Sequence, residues 1–468
     1  MGDAEQFEAV VIGTGQGGVP LAVALARAGR KTAIVEKGDV GGSCVNRGCT
    51  PTKTMVAGSR VAYLARRASD YGVETGPVDV DMEKVRARKR AIVEEFRSGS
   101  ESKIESTEGL ELIRGEAVFS GLREMEVRVE GETVRRLKGE QIFINTGSRP
   151  VSPRISGLED VPALDSTSIM ELDKVPDHLL ILGGGYIGVE FGQMFRRYGA
   201  AVTIIQRGYQ LLSREDEDVA KAVAGVLAED GIRLLFGVET THAARTDGGV
   251  ALTIRRGEEE SILRGSHLLV ATGRVPETDG LALEEAGVEV DEKGFVLVNN
   301  GLETSASGIY ALGDVKPGPA FTHISYDDFR ILRTRLLEGE EAGLEGRMIA
   351  YTVFMDPQLG VVGMTEKVAR RAGRDYLVAR IPMNWVARAL EMDESRGMMK
   401  ALVDRSSGSI LGAAILGVEG GELMSLLQVA MMGDLPYTAL RDGVFAHPTL
   451  AEAMNTLFSR LEEPGPQL

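Results

Sequence analysis

The chain contains only two cysteines, Cys44 and Cys49, in the run Gly41-Gly42-Ser43-Cys44-Val45-Asn46-Arg47-Gly48-Cys49-Thr50-Pro51-Thr52-Lys53. A cross-link between them closes so short a loop that it restricts the unfolded chain only weakly, so a structural staple is a poor use of the pair. A dithiol that cycles between oxidised and reduced states is a better one. In a regular helix, Cα atoms five residues apart stand at roughly 8.6 Å, beyond the ~7 Å a disulfide spans. The backbone between the cysteines must therefore be distorted, and Gly48 is suited to absorb the distortion. Pro51 fits a first helical turn, where its missing N–H costs nothing. Thiolates near a helix N-terminus gain from its partial positive charge, and Lys53 adds to that. The plainer alternative is two reduced cysteines at a packed helix start.

The partner for such a dithiol stands just upstream. The apolar run Ala9-Val10-Val11-Ile12 leads into Gly13-Thr14-Gly15-Gln16-Gly17-Gly18, then a helical stretch, then a second apolar run, Thr32-Ala33-Ile34-Val35, ending at Glu36. This is G-x-G-x-x-G between strand and helix with an acid at the expected distance. Gly13, Gly15 and Gly18 let backbone approach a pyrophosphate, and Glu36 is placed to accept from a ribose hydroxyl. The unit recurs as Leu179-Leu180-Ile181-Leu182, Gly183-Gly184-Gly185-Tyr186-Ile187-Gly188, a helix to about Tyr198, and Val202-Thr203-Ile204-Ile205. At the offset that separates Glu36 from Gly13, the second copy has Gln206, followed by Arg207. An acid there would repel a 2′-phosphate and an arginine can pair with one, so NADP(H) is expected over NAD(H). The alternative is that Arg207 is simply solvated. Two dinucleotide sites imply two cofactors. FAD is expected beside the dithiol and a nicotinamide at Gly183, Gly185 and Gly188.

Composition limits the remaining classes. At 468 residues the chain has room for about three domains. A net charge of −16 disfavours a nucleic-acid partner and fits a soluble cytoplasmic protein. The start of the chain lacks the basic and apolar regions of a signal peptide, and no apolar run is long enough for a membrane helix, so no membrane partner is expected. Two thiols in a reducing compartment suit redox work. No metal site is expected, because structural zinc needs four ligands and no histidine lies near the cysteines in sequence.

With these motifs in order, the chain resembles the flavoprotein disulfide reductases, class I pyridine nucleotide-disulfide oxidoreductases, over nearly its whole length. The run Gly41 to Lys53 resembles the family's redox helix, with Ser43 and Thr52 exchanged for the commoner Thr and Ser. The resemblance implies that Cys44 is the interchange thiol and Cys49 the charge-transfer thiol beside the flavin, with Gly42 and Ser43 in the cofactor site. It implies that Lys53 touches the isoalloxazine and that Glu190 pairs with that lysine near the nicotinamide. Thr146-Gly147 resembles the turn at the domain crossover. Gly313-Asp314 resembles the second FAD fingerprint, whose acid binds the ribityl chain, and Gly273 closes the nicotinamide domain. Phe445-Ala446-His447-Pro448-Thr449-Leu450-Ala451-Glu452 resembles the family's His-Pro-Thr signature. There His447 is the acid–base, Glu452 orients it, and the pair serves the other subunit's disulfide in an obligate homodimer.

The implied architecture is α/β: two Rossmann-like dinucleotide-binding domains, for FAD and NAD(P), plus a C-terminal α+β dimerisation domain. The FAD domain takes residues 1–150 and 277–340, the NAD(P) domain 151–276, and the interface domain 341–468. Residues 82–105 are expected as a solvated helix pair, and 462–468 as a disordered tail. The implied activity is NAD(P)H-dependent reduction of a small-molecule disulfide or thiol-linked acceptor. The resemblance is nearest to the mercuric-reductase-like branch, including reactive-chlorine-resistance flavoproteins, so reduction of Cu(II) or Hg(II) is an alternative. No cysteine follows Cys49, which counts against efficient mercury handling. Lipoamide oxidation stays open, with Gln206 against it, as does a non-enzymatic flavin-loaded redox sensor.

Overall fold

The computed structural model of the chain describes residues 4–465. Two compact units emerge. One comprises the chain up to Met55, Glu83–Val151 and Gly273–Arg347; the other comprises Val56–Met82, Ser152–Thr272 and the chain from Met348 on.

In the first unit, the strands Leu110–Arg114, Thr32–Glu36, Glu5–Ile12, Glu132–Ile144 and Ile309–Ala311 pair in parallel. Glu116–Gly121 and Glu124–Val129 continue the sheet as an antiparallel meander. Strands buried on both faces need apolar residues at every position, and Ala9-Val10-Val11-Ile12 supplies them. Ala9 and Val11 face the cluster that holds Leu21, Leu25, Phe329 and Leu332. Val10 and Ile12 face the one that holds Phe119, Val127 and Leu137. The glycine loop of this unit therefore leaves a sheet that packs on both sides.

The second unit repeats the plan. His178–Leu182, Ala201–Gln206, Arg233–Phe236 and His267–Val270 form a four-stranded parallel sheet, with the helix Tyr186–Tyr198 after its first strand. Its C-terminal part is a six-stranded antiparallel sheet in the order Ala350–Val353, Gln358–Gly363, Ile410–Gly417, Met398–Asp404, Tyr376–Pro382, Leu461–Glu462. The helices Gly420–Met432 and Ala453–Phe458 bury Leu423, Leu427, Leu457 and Phe458 in its core.

Two expectations are corrected. Residues 82–105 form one helix, Met82–Glu105, because no glycine or proline breaks the segment before Gly99, and there the helix runs on. The expected disordered tail begins in a strand: Leu461 and Glu462 pair with Ala379 and Val378. Arg405 holds Glu463, and Gly465 accepts from Arg370. Residues 466–468 lie outside the described residues. Among the described residues, no helix is long and apolar enough to cross a membrane.

Within the second unit, one buried lysine ties the glycine-loop domain to the antiparallel sheet. Lys400, 2% exposed, meets Asp216 at 2.9 Å, Asp218 at 2.9 Å and Glu366 at 2.6 Å. Asp216 also accepts the Glu366 and Lys367 N–H groups, capping the helix Glu366–Arg371. Burial pushes the Asp218 and Glu366 carboxyls up, but Lys400 and Arg380 outweigh it and hold both below their ordinary values. Removing one member of such a cluster strands the others. Lys400→Met should lower the unfolding free energy by about 3–5 kcal/mol in urea titrations; a loss under about 1 kcal/mol would place the cluster among exposed pairs. With both carboxyls depressed, the wild-type contribution is complete above the ordinary carboxylate pKa, about 4, and is lost as pH falls through the folded values.

Candidate active site

The dithiol is built on the first glycine loop. Gly13 takes φ +100°, and a Cβ there would meet the Asn145 carbonyl oxygen at 2.5 Å; one at Gly18 would meet the Gly13 oxygen at 2.3 Å. Thr14 N–H and Oγ1 donate to Glu36 Oε2 at 3.0 and 2.6 Å, and the same Oγ1 accepts from Gly41 N–H at 3.1 Å. Glu36 therefore reaches the dithiol segment through Thr14. Gly42 has φ +63°, and a Cβ on it would lie 2.7 Å from Gly15 Cα.

From Gly42 the chain forms a short helix, Gly42–Asn46, which carries Ser43 and Cys44. It breaks at Arg47 and restarts as Cys49–Arg66, with Pro51 in the first turn and Lys53 one turn on. The expected distortion is this break. Gly48 serves it by close approach, since its Cβ would stand 3.0 Å from the Ser43 oxygen. Both cysteines are in the reduced form, not joined to each other. The Cys44 thiol is held well above its ordinary value, first by its hydrogen bond with Cys49, then by burial, then by charge on Cys49. A neighbour opposes this: Thr322, first residue of the helix Thr322–Arg333, eases ionisation of Cys44. Its Oγ1 stands 3.1 Å from Cys49 Sγ.

The surroundings fit a flavin dinucleotide. Thr146 Oγ1 is buried without a hydrogen-bond partner, as a group awaiting a ligand would be, and Gly147 follows at φ +73°. Asp314 is half-buried, and desolvation raises its carboxyl above the ordinary range. It accepts from Ser148 Oγ at 3.1 Å, which in turn accepts from Arg274 Nε at 2.9 Å. A half-buried acid with a polar support can accept from sugar hydroxyls.

The second glycine loop repeats the first at the level of single contacts. Gly183 has φ +106° with its Cβ position 2.4 Å from the Ala271 oxygen, and a Cβ on Gly188 would meet the Gly183 oxygen at 2.0 Å. Gly185 ends the loop at the helix Tyr186–Tyr198, and Gly273 has φ +144°. Gln206 Oε1 accepts Gly184 N–H at 2.9 Å, as Glu36 accepts Thr14 N–H. Arg207 is exposed. Glu190 is buried, and its Oε1 accepts Phe354 N–H at 2.8 Å.

His447 Nδ1 stands 3.0 Å from both Glu452 oxygens, on a ring that is 71% exposed. A carboxylate can only accept, so Nδ1 is the donor, and in the neutral ring Nε2 carries the lone pair that can take a substrate proton. Thr449 braces this turn, accepting Glu452 N–H and donating to the Ala446 oxygen.

Thr322, Ser148 and Arg274 escaped the sequence reading as site residues. Each belongs to a segment that signals something else, a helix start or a crossover strand, and meets its partner only through the fold.

Residues 7–328 match the pyridine nucleotide-disulphide oxidoreductase model, and residues 349–458 match that family's dimerisation domain, which makes a homodimer the assembled form. The chain is 38% identical to the probable pyridine nucleotide-disulfide oxidoreductase RclA of Escherichia coli (strain K12), covering 97% of this chain and 99% of that one. It is 32% identical to a mercuric reductase of Staphylococcus aureus, over 96% and 81%. A solved Cu(II) complex of the HOCl-induced flavoprotein disulfide reductase RclA from Escherichia coli superposes with a TM-score of 0.88 at 37% identity, over 97% and 99%. A glycine-loop domain that carries the dithiol, a second glycine-loop domain and a dimerisation domain, in this order, make the chain a class I pyridine nucleotide-disulfide oxidoreductase, an FAD-dependent flavoprotein reductase that uses NAD(P)H.

Proposed function

We propose that this reductase draws on NADPH and discharges through Cys44 onto a small disulfide or thiol-linked acceptor, in the cytoplasm, with each active site shared between two subunits. One observation carries the reading: two interacting thiols stand on a segment whose Gly42 backbone abuts the Gly15 backbone of the first glycine loop. In this reading residues 1–150 and 277–340 bind FAD, 151–276 bind the nicotinamide, and 341–468 form the subunit interface.

FAD, when bound, supplies a carrier that takes a hydride and hands on an electron pair. Gly13, Gly15, Gly18 and Gly42 line its pyrophosphate; Glu36 serves the ribose; Ser43, Lys53, Thr146, Gly147, Gly313 and Asp314 hold the rest. Gly183, Gly185, Gly188, Gly273, Glu190, Gln206 and Arg207 hold the nicotinamide nucleotide. Gln206 uses its oxygen on Gly184 N–H, so its outward group is an amide donor where a carboxylate would stand. A donor and the Arg207 guanidinium both suit a 2′-phosphate.

At the dithiol, Cys44 keeps its proton at neutral pH, since Cys49 and burial both raise it. Attack therefore needs a base. His447, oriented by Glu452, takes that proton from the Cys44 of the other subunit. Cys44 sulfur then attacks one acceptor sulfur and forms a mixed disulfide. The leaving thiolate takes the proton back from His447. Cys49 thiolate attacks Cys44, closes the Cys44–Cys49 bond and releases the second acceptor thiolate. A second reading, reduction of Cu(II) at the same sulfurs, is favoured by the related RclA, solved as a Cu(II) complex.

Cys44→Ser should cut NADPH-driven disulfide turnover by about 10³-fold or more while the flavin absorbance stays; undiminished turnover would remove the mechanism. Assaying lipoamide, glutathione disulfide and Cu(II) side by side separates the two readings by which one discharges the reduced enzyme. In Cys49→Ala, the alkylation of Cys44 should reach half-maximal rate at lower pH than in the reduced wild type, because the largest cause raising it is gone; an unmoved profile contradicts the coupling. Gln206→Glu and Arg207→Glu should each shift the kcat/KM ratio toward NADH by about tenfold or more. A ratio that does not move would leave the 2′-phosphate argument without support.

A further inference from the structure

The turn Gly313–Val315 carries Asp314, and behind it lies an acid that no motif claims. Asp328, in the helix Thr322–Arg333, has no exposed surface. Its Oδ2 accepts Gly313 N–H at 2.8 Å and Lys316 Nζ at 3.1 Å, and its Oδ1 accepts Arg347 Nη2 at 2.7 Å. Lys316 is itself buried, and Asp327 holds Arg347 from the other side at 2.8 Å.

Burying a carboxylate costs several kcal/mol before its partners offset it, and plain helix packing does not need one. Phe329, Ile331 and Leu332 on the same helix do that work as apolar side chains. The location of the anion gives the reason. One oxygen holds residue 313 by its backbone and residue 316 by its side chain, so it straddles Asp314. Gly313 has φ +77° and is seated against the same helix, its Cβ position 2.7 Å from Ser325 Oγ. The charges around Asp314 follow the same layout: Asp328 adds to the burial that raises its carboxyl, while Ser148, Arg274 and Lys316 oppose it.

We propose that Asp328 is a positioning residue of the flavin site, clamping the Gly313–Asp314 turn through Gly313 N–H and Lys316 so that Asp314 is held ready for FAD. This rests on the reading that Asp314 binds FAD. Asp328 touches no cofactor; it acts through the turn.

The test measures FAD release from the holoenzyme on dilution, by the rise of free-flavin fluorescence, at a temperature where circular dichroism reports native protein. Asp328→Ala should release FAD about 10- to 100-fold faster than wild type. Asp328→Asn, which keeps an acceptor for Gly313 N–H, should fall between the two. Leu332→Ala, a core truncation on the same helix, should lower the unfolding temperature without speeding release; if Asp328→Ala behaves like it, the role is merely structural and the proposal fails. Asp314→Ala is the reference. Fast release there with release from both Asp328 variants within twofold of wild type overturns the clamp and leaves the Asp314 reading standing. Slow release from Asp314→Ala removes that reading and the clamp with it. Should Asp328→Ala not fold, Asp328→Asn decides: wild-type release overturns the clamp.

Discussion

The contact on which the chemistry depends is one of backbone against backbone. Gly42 sits against Gly15 so closely that a Cβ at Gly42 would lie 2.7 Å from the Gly15 Cα. A side chain at Gly42 would push the short helix Gly42–Asn46, and Cys44 with it, off the loop that leaves the first strand. The positive φ at Gly41 and Gly42 turns the chain into that helix, and Thr14 fastens the turn by accepting Gly41 N–H while donating to Glu36. Strand, glycine loop and dithiol are thus joined by direct contact and hydrogen bonds into one piece that rests on the sheet.

The same scaffold is used twice and differs where the chemistry differs. The first glycines of both loops adopt nearly the same left-handed φ, and both third glycines abut the carbonyl oxygen of the first. Glu36 and Gln206 perform the same internal task, accepting an N–H from the second residue of their loop. That task constrains only one oxygen. The other oxygen of Glu36 accepts Gly38 N–H at 2.8 Å, whereas Gln206 has an amide nitrogen in that half of its side chain. In the proposed reading, selectivity for the nucleotide is set at this side chain and not by the glycines that hold its pyrophosphate.

What the sequence reveals follows from how local each signal is. Gly13 to Gly18 with its flanking strands is a contiguous pattern, and so is Gly183 to Gly188; both fold as their spacing implies. The break between the cysteines was also legible, because helical geometry forbids the pair otherwise. Other features depend on distant chain. Thr322 reaches Cys49 from a helix that begins far downstream. Ser148 and Arg274 come together only where two crossover strands pair. The strand at Leu461–Glu462 is too short to have a period of its own and exists because Tyr376–Pro382 offers it an edge. Met82–Glu105 is one helix where a solvated pair is expected, since Lys, Arg and Glu at helical spacing mark a helix but not where it ends.

In the proposed reaction, proton and electron handling fall to different parts of the chain. Cys44 is raised first by its hydrogen bond with Cys49, which only the protonated thiol can donate, then by burial, and then by charge on Cys49,. A dithiol so arranged holds one proton in reserve, and the sulfur that keeps it cannot attack until a base removes it. His447 has the tautomer for that task, fixed by Glu452, and its ring is open to solvent. In the proposed reaction this base belongs to the other subunit, so the nucleophile is competent only in the assembled dimer. A lone subunit would carry a reduced but protonated Cys44, and the dimer would couple the release of electrons to the place where acceptor and base meet.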